Sequence, residues 1–85
     1  MNYVFTDRAW DDYTYWKSID RKVLKRINEL LRDIERNGDT GIGKPELLRH
    51  GFHGYSSRRI SREHRLIYKV ADQDVLVAAC RYHYS

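Results

Sequence analysis

The chain has 85 residues, with 16 Lys/Arg against 12 Asp/Glu, four histidines and a single cysteine. That length supports one small core, no apolar run approaches the roughly 18 residues of a membrane helix, and one cysteine excludes an intrachain disulfide or a cysteine metal cage. With no signal-peptide pattern at the start, the expectation is one cytoplasmic domain over residues 1–85, with no membrane attachment. The charge is uneven. Residues 1–43 hold eight Lys/Arg and eight Asp/Glu, whereas residues 44–85 hold eight and four, so the whole excess of +4 lies in the second half. It is mainly arginine, whose planar fork suits phosphate, which points to nucleic acid or an acidic protein.

Tyr3-Val4-Phe5 predicts a short first strand. Thr6 is placed as an N-cap with Asp7 in the first turn, and Ala9, Trp10, Tyr13 and Trp16 recur at helical spacing to about Lys17, their aromatic rings read as core. Asp20 can cap a second helix. Val23, Leu24, Ile27, Leu30, Leu31 and Ile34 form its apolar stripe, and charges including Asp33 form its solvated side. Asn37-Gly38 should end that helix.

From Pro45 the period becomes extended. Glu46–Arg49, Tyr55–Ile60, Leu66–Val70 and Val75–Tyr82 are predicted strands. The outline is β-α-α-β-β-β-β, an α+β domain with a mostly antiparallel sheet and both helices on one face.

Common enzyme signatures are missing: there is no Gly-x-Gly-x-x-Gly, no Walker loop, no His-Glu-x-x-His and no acidic two-metal cluster. What remains is a set of Lys44, Glu46, Arg49, Arg58, Arg59, Arg65, Arg81, His83 and Tyr84. RNA can be cleaved without metal by turning its 2′-hydroxyl on the adjacent phosphate. That takes a base, a cation for the charge on phosphorus and an acid for the 5′-oxygen, which carboxylate, arginine and histidine can supply. Plainer readings stand beside this one. Glu46 with Lys44 and Arg49 forms an ordinary surface ion pair, Arg58 and Arg59 point to opposite strand faces so that one of them lines a groove, and His50, His53 and His64 are solvent-facing loop residues. Composition and spacing alone leave generic anion binding ahead of RNA chemistry.

Several segments together resemble the YoeB (Txe) type of the RelE/ParE toxin superfamily: Ala9-Trp10-Asp11-Asp12-Tyr13 with Tyr15-Trp16, Lys25-Arg26-Ile27-Asn28-Glu29-Leu30, Gly43-Lys44-Pro45-Glu46, Leu48-Arg49-His50, Ser57-Arg58-Arg59-Ile60, Glu63-His64-Arg65-Leu66 and Ala78-Ala79-Cys80-Arg81-Tyr82-His83-Tyr84. The resemblance implies a RelE-like fold and the toxin of a type II toxin–antitoxin pair that cuts mRNA in the A site of the 30S ribosomal subunit. It also implies no cofactor or metal, a small, partly disordered antitoxin of the YefM/Phd type, and room for a homodimer. Carried onto this chain, Glu46 would be the general base, His83 the general acid, and Arg65 the stabiliser of the phosphorane-like transition state. Tyr84 would position the scissile nucleotide, and Lys44, Arg49, Arg59 and Arg81 would hold RNA. The runner-up is a ParE-like gyrase inhibitor that cuts nothing. The chain departs from the family pattern at Gly51-Phe52-His53 and at Ser56, where a large aromatic is common.

One register problem follows from the strands. A hairpin that pairs Val70 with Val75 and runs on regularly sets Arg65 opposite Cys80 and turns His83 to the other face, so a bulge or a terminal bend is expected near the chain end.

Overall fold

A computed structural model describes residues 1–82; His83, Tyr84 and Ser85 lie outside the described residues. The elements are β1 (Asn2–Phe5), α1 (Asp7–Ile19), α2 (Arg21–Asn37), β2 (Glu46–Leu47), β3 (Ser56–Arg59), β4 (Arg65–Ala71) and β5 (Asp74–Ala79). This is the expected β-α-α-β-β-β-β order. The strands lie side by side as β1-β5-β4-β3-β2, with β1 parallel to β5 and the other pairs antiparallel.

The helix ends follow local chemistry. The Thr6 hydroxyl accepts from Ala9 N–H at 3.0 Å and starts α1. Asp20 ends α1 and starts α2, its carboxylate accepting from the N–H groups of Lys22 and Val23. With one residue between them the helices form a tight hairpin, and Gly38, at φ +62°, closes α2 in a conformation that glycine adopts at little cost.

One face of the sheet carries Leu66, Tyr68, Val75 and Val77 against Ala9, Trp16, Ile27, Leu30, Leu31 and Ile34 of the helices, and this is the main core. Among the described residues the opposite face has only a small cluster of Ile67, Ala78 and Ala79 with Leu48, Phe52 and Tyr55. It is therefore the open face.

Trp10 is not core as the spacing predicts. It is exposed at the border of the α1 stripe, stacked on Tyr13 and edge-on to Phe5. The strand predicted from Glu46 to Arg49 pairs only over Glu46–Leu47, although Leu48 N–H still reaches Tyr55 O at 2.9 Å.

The expected bulge is present. The β4/β5 ladder runs Ala71↔Asp74 through Tyr68↔Val77 and then slips to Ile67↔Ala79. Beyond Ala79 the chain leaves the ladder, and Arg65 N–H meets Tyr82 O, where a regular ladder would have offered Cys80. The strand predicted to reach Tyr82 thus stops at Ala79.

Cys80 is buried behind this bend, its N–H on the Asp12 carboxylate and its carbonyl on Trp16 Nε1–H. Burial, reinforced by Asp12, pushes its thiol up to about 12. A dithionitrobenzoate assay should therefore find the native thiol inert near neutrality and released only on denaturation; full reaction of the folded protein within minutes would contradict this burial.

Candidate active site

The site begins with strand pairing. Glu46 opposes Ser57 across β2/β3, and Arg59 opposes Arg65 across β3/β4. Residues paired across a ladder share a face, as do positions two apart on a strand, so Glu46, Ser57, Arg59 and Arg65 all stand on the open face.

Arg65 is their centre. Its side chain is only 7% exposed, yet its neighbour Glu46 is 67% exposed. Arg65 Nε–H donates to Ser57 Oγ at 2.9 Å, and Nη2 lies 3.5 Å from Glu46 Oε2 and 3.4 Å from Lys44 O. The guanidinium is fixed in direction, with a solvent-accessible carboxylate beside it. Setting Arg59 directly opposite Arg65 costs stability through like-charge repulsion, which a bound anion on that face would offset.

Lys44 and Arg49 are exposed just before and just after β2. Lys44 is held in a left-handed backbone at φ +50°, an uncommon state for a residue with a β-carbon. The preceding Gly43, at φ +82°, accepts from Arg59 N–H at 2.6 Å, and a β-carbon there would come within 2.7 Å of Leu30 Cδ2. The loop carrying Lys44 is therefore pressed onto the strand carrying Arg59.

The other expected residues divide. Arg81 lies with its guanidinium 3.5 Å from the centroid of the Tyr15 ring on α1 and 4.6 Å from that of Tyr82. It thus stacks against the helical layer. His83 and Tyr84 lie outside the described residues. Ser56 is buried on the helix-covered face, and the aromatic surface bordering the open face comes from Phe52 and Tyr55.

Three features escape a sequence reading. Arg58 turns opposite to Arg59, as strand alternation requires, and enters the core fully buried. There it pairs with Asp33 and donates to Tyr68 Oη and to the carbonyls of Gly38, Thr40 and Ile42, a convergence of acceptors at the negative end of α2. Asp33, read as solvated, is thus taken up by this arginine, and the Arg58 hydrogen bond, helped by Ile42 N–H and the Asn37 amide, holds its carboxyl below the usual carboxylate range. His64, read as a solvent-facing loop residue, is half-buried, its ring 4.7 Å from that of Trp16, and its Nδ1 accepts from Tyr82 N–H. The acidic partner of Arg58 is 25 positions away, so no local pattern could have revealed it.

A family model described as the YoeB-like toxin of bacterial type II toxin–antitoxin systems matches residues 5–84. The chain belongs to this family. It is 50% identical over 84 residues to toxin YoeB of Escherichia coli (strain K12), covering 99% of this chain and all of that one. Among solved structures, the YoeB dimer from Staphylococcus aureus superposes with a TM-score of 0.93 at 50% identity, covering 99% of this chain and 98% of that one. The heterotetrameric YoeB–YefM toxin–antitoxin complex from the same organism gives 0.92 at 50% identity, with the same coverage. This YoeB-like toxin carries Glu46, Arg59 and Arg65 together on its open face. No helix among the described residues of this toxin is long and apolar enough to cross a membrane.

Proposed function

We propose that this YoeB-like toxin is a ribosome-dependent endoribonuclease that cleaves mRNA in the A site, with residues 1–85 acting as one cytoplasmic toxin domain. The observation that carries this reading is the anchored Arg65 guanidinium with the accessible Glu46 carboxylate 3.5 Å away on the open, arginine-bearing face. Affinity for anions alone needs neither a carboxylate at the cation nor a guanidinium locked by Ser57. An acid/base reaction at phosphate uses both.

In this mechanism Glu46 removes the proton of the 2′-hydroxyl as that oxygen attacks the adjacent phosphorus. Arg65 neutralises the charge gathering on the phosphoryl oxygens, and Arg59 and Lys44 hold neighbouring phosphates. The bond from phosphorus to the 5′-oxygen breaks, and His83 delivers a proton to that oxygen. Tyr84 positions the scissile nucleotide, Arg49 adds phosphate affinity, and Arg81 acts at the margin through its stacked guanidinium. The products are a 2′,3′-cyclic phosphate and a 5′-hydroxyl, so protons and charges balance without a cofactor.

The natural inhibitor on this reading is a YefM/Phd-type antitoxin, supported by the YoeB–YefM assembly of the Staphylococcus aureus relative, and the dimer of that relative supports a homodimer here. A translation reaction with defined mRNA tests the reading. Cleavage at the A-site codon only with ribosomes, and lost in Glu46→Ala and His83→Gln, is the expected result. Intact mRNA with inhibited DNA supercoiling would overturn it in favour of gyrase binding.

A further inference from the structure

We infer that His64 is a positioning residue for this reaction: by accepting the Tyr82 N–H it holds in a left-handed backbone, tied to the Arg65 N–H, the residue that precedes the proposed acid His83 in the sequence. The inference rests on the proposed nuclease reading, and it assigns a role to a side chain outside the acid/base set.

Tyr82 has φ +73°, uncommon for a residue with a β-carbon and more so for a bulky one. Burial of its ring does not impose this, because Tyr82 is 52% exposed. Two hydrogen bonds hold its peptide groups instead. Tyr82 N–H donates to His64 Nδ1 at 2.8 Å, and Tyr82 O accepts from Arg65 N–H at 3.0 Å. The second bond ties the bend to the residue whose guanidinium meets Glu46. Strained backbone held by surrounding structure concentrates at functional sites.

His64 is itself held in place. Its carbonyl accepts from the N–H groups of Ile60 and Ser61, and its ring lies edge-on against Trp16 at 75°. Trp16 also donates its Nε1–H to Cys80 O, while Asp12, one turn earlier on α1, takes Cys80 N–H. Residues 80–82 are thus held at Cys80 by α1 and at Tyr82 by His64. For Nδ1 to accept, the imidazole must be neutral with its proton on Nε2.

The test compares His64→Ala with His64→Asn, whose Oδ1 offers an acceptor of similar reach and does not titrate. Single-turnover cleavage on saturating programmed ribosomes should fall about 10- to 100-fold in His64→Ala, with half-saturation changed by less than about threefold, because small misplacements at a reacting centre are costly. His64→Asn should stay within about threefold of wild type. Amide hydrogen exchange gives an independent reading: Tyr82 should lose protection in His64→Ala and keep it in His64→Asn, with the central β4 and β5 amides unchanged in both. Wild-type cleavage by His64→Ala with an unprotected Tyr82 amide would overturn the inference, as would equal losses in the two variants. A wild-type protein that cleaves nothing would overturn the underlying reading and this role with it, a failure recognisable because the exchange difference at Tyr82 would survive.

Discussion

Replacing Arg65 by alanine is expected to slow cleavage of ribosome-bound mRNA by about 100- to 1,000-fold, the usual cost of removing one preorganised group that stabilises transition-state charge. The effect should appear in the single-turnover rate. On the proposed mechanism Arg65 contributes a fixed cation rather than mere affinity, since its Nε–H is bound to Ser57 and its Nη2 faces the Glu46 carboxylate. Lysine restores the charge but not the fork, cannot hold the Ser57 bond and the Glu46 contact at once, and should recover only part of the loss. Arg59→Ala removes an exposed arginine from the same face and should weaken binding with a smaller effect on the rate at saturation. Rate constants measured at saturating ribosomes for the three variants, with melting curves confirming the fold, check this ordering. A full rate in Arg65→Ala would remove Arg65 from the chemistry.

Arg58→Met is expected to be the most damaging substitution for stability, costing about 3–5 kcal/mol. The arginine is fully buried with four neutral acceptors and the Asp33 carboxylate around it, and methionine fills space while answering none of them. A domain of this size is commonly stable by only about 4–13 kcal/mol, so the loss is a large fraction of the whole. Urea denaturation measures it directly, and a loss below about 1 kcal/mol would show that the network is dispensable.

The same pair gives an acid limb. Because Arg58 holds the Asp33 carboxyl below its ordinary value, the contribution is complete above the unfolded-state value of about 3.9 and fades as the pH falls through the lower folded-state value. Urea midpoints of the wild type should therefore drop more steeply below about pH 4 than those of Asp33→Asn, which should be less stable near neutrality and flatter in acid. Parallel curves would contradict the pairing.

The network also bears on function. It ties down Gly38, Thr40 and Ile42, and the same loop runs on into Lys44, whose carbonyl meets Arg65.

How far the sequence reveals this molecule depends on how local each cause is. Thr6, Asp20 and Gly38 act within a few residues of themselves, and their caps were readable from the chain. The bulge before the chain end was readable too, since side-chain parity forbids Arg65 and His83 from sharing a face on a regular hairpin, and the ladder does slip at Ile67/Tyr68. Glu46 and Arg65 could be named because a resemblance supplied the pairing; their common face emerges only from the register of three strands.

Other roles depend on distant partners. Nothing in Ser56-Ser57-Arg58-Arg59 says which arginine enters the core, because that is decided by acceptors at the end of α2. Trp10 fits the helical spacing as well as Trp16, but α1 turns Trp16 inward against His64 and Cys80 and leaves Trp10 at the rim. His64 is a loop residue as expected, but it reads as solvent-facing because its hydrogen-bond partner, Tyr82, lies 18 positions on.

On the proposed mechanism the open face carries out acid/base transphosphorylation at an RNA phosphate. The most direct measurement is the chemistry of the two ends made when ribosome-bound mRNA is cut in the A site. The mechanism predicts a 2′,3′-cyclic phosphate on the upstream fragment and a 5′-hydroxyl on the downstream one. A 3′-hydroxyl with a 5′-phosphate would mean that water, not the 2′-hydroxyl, attacked phosphorus, and would contradict the roles given to Glu46, Arg65 and His83.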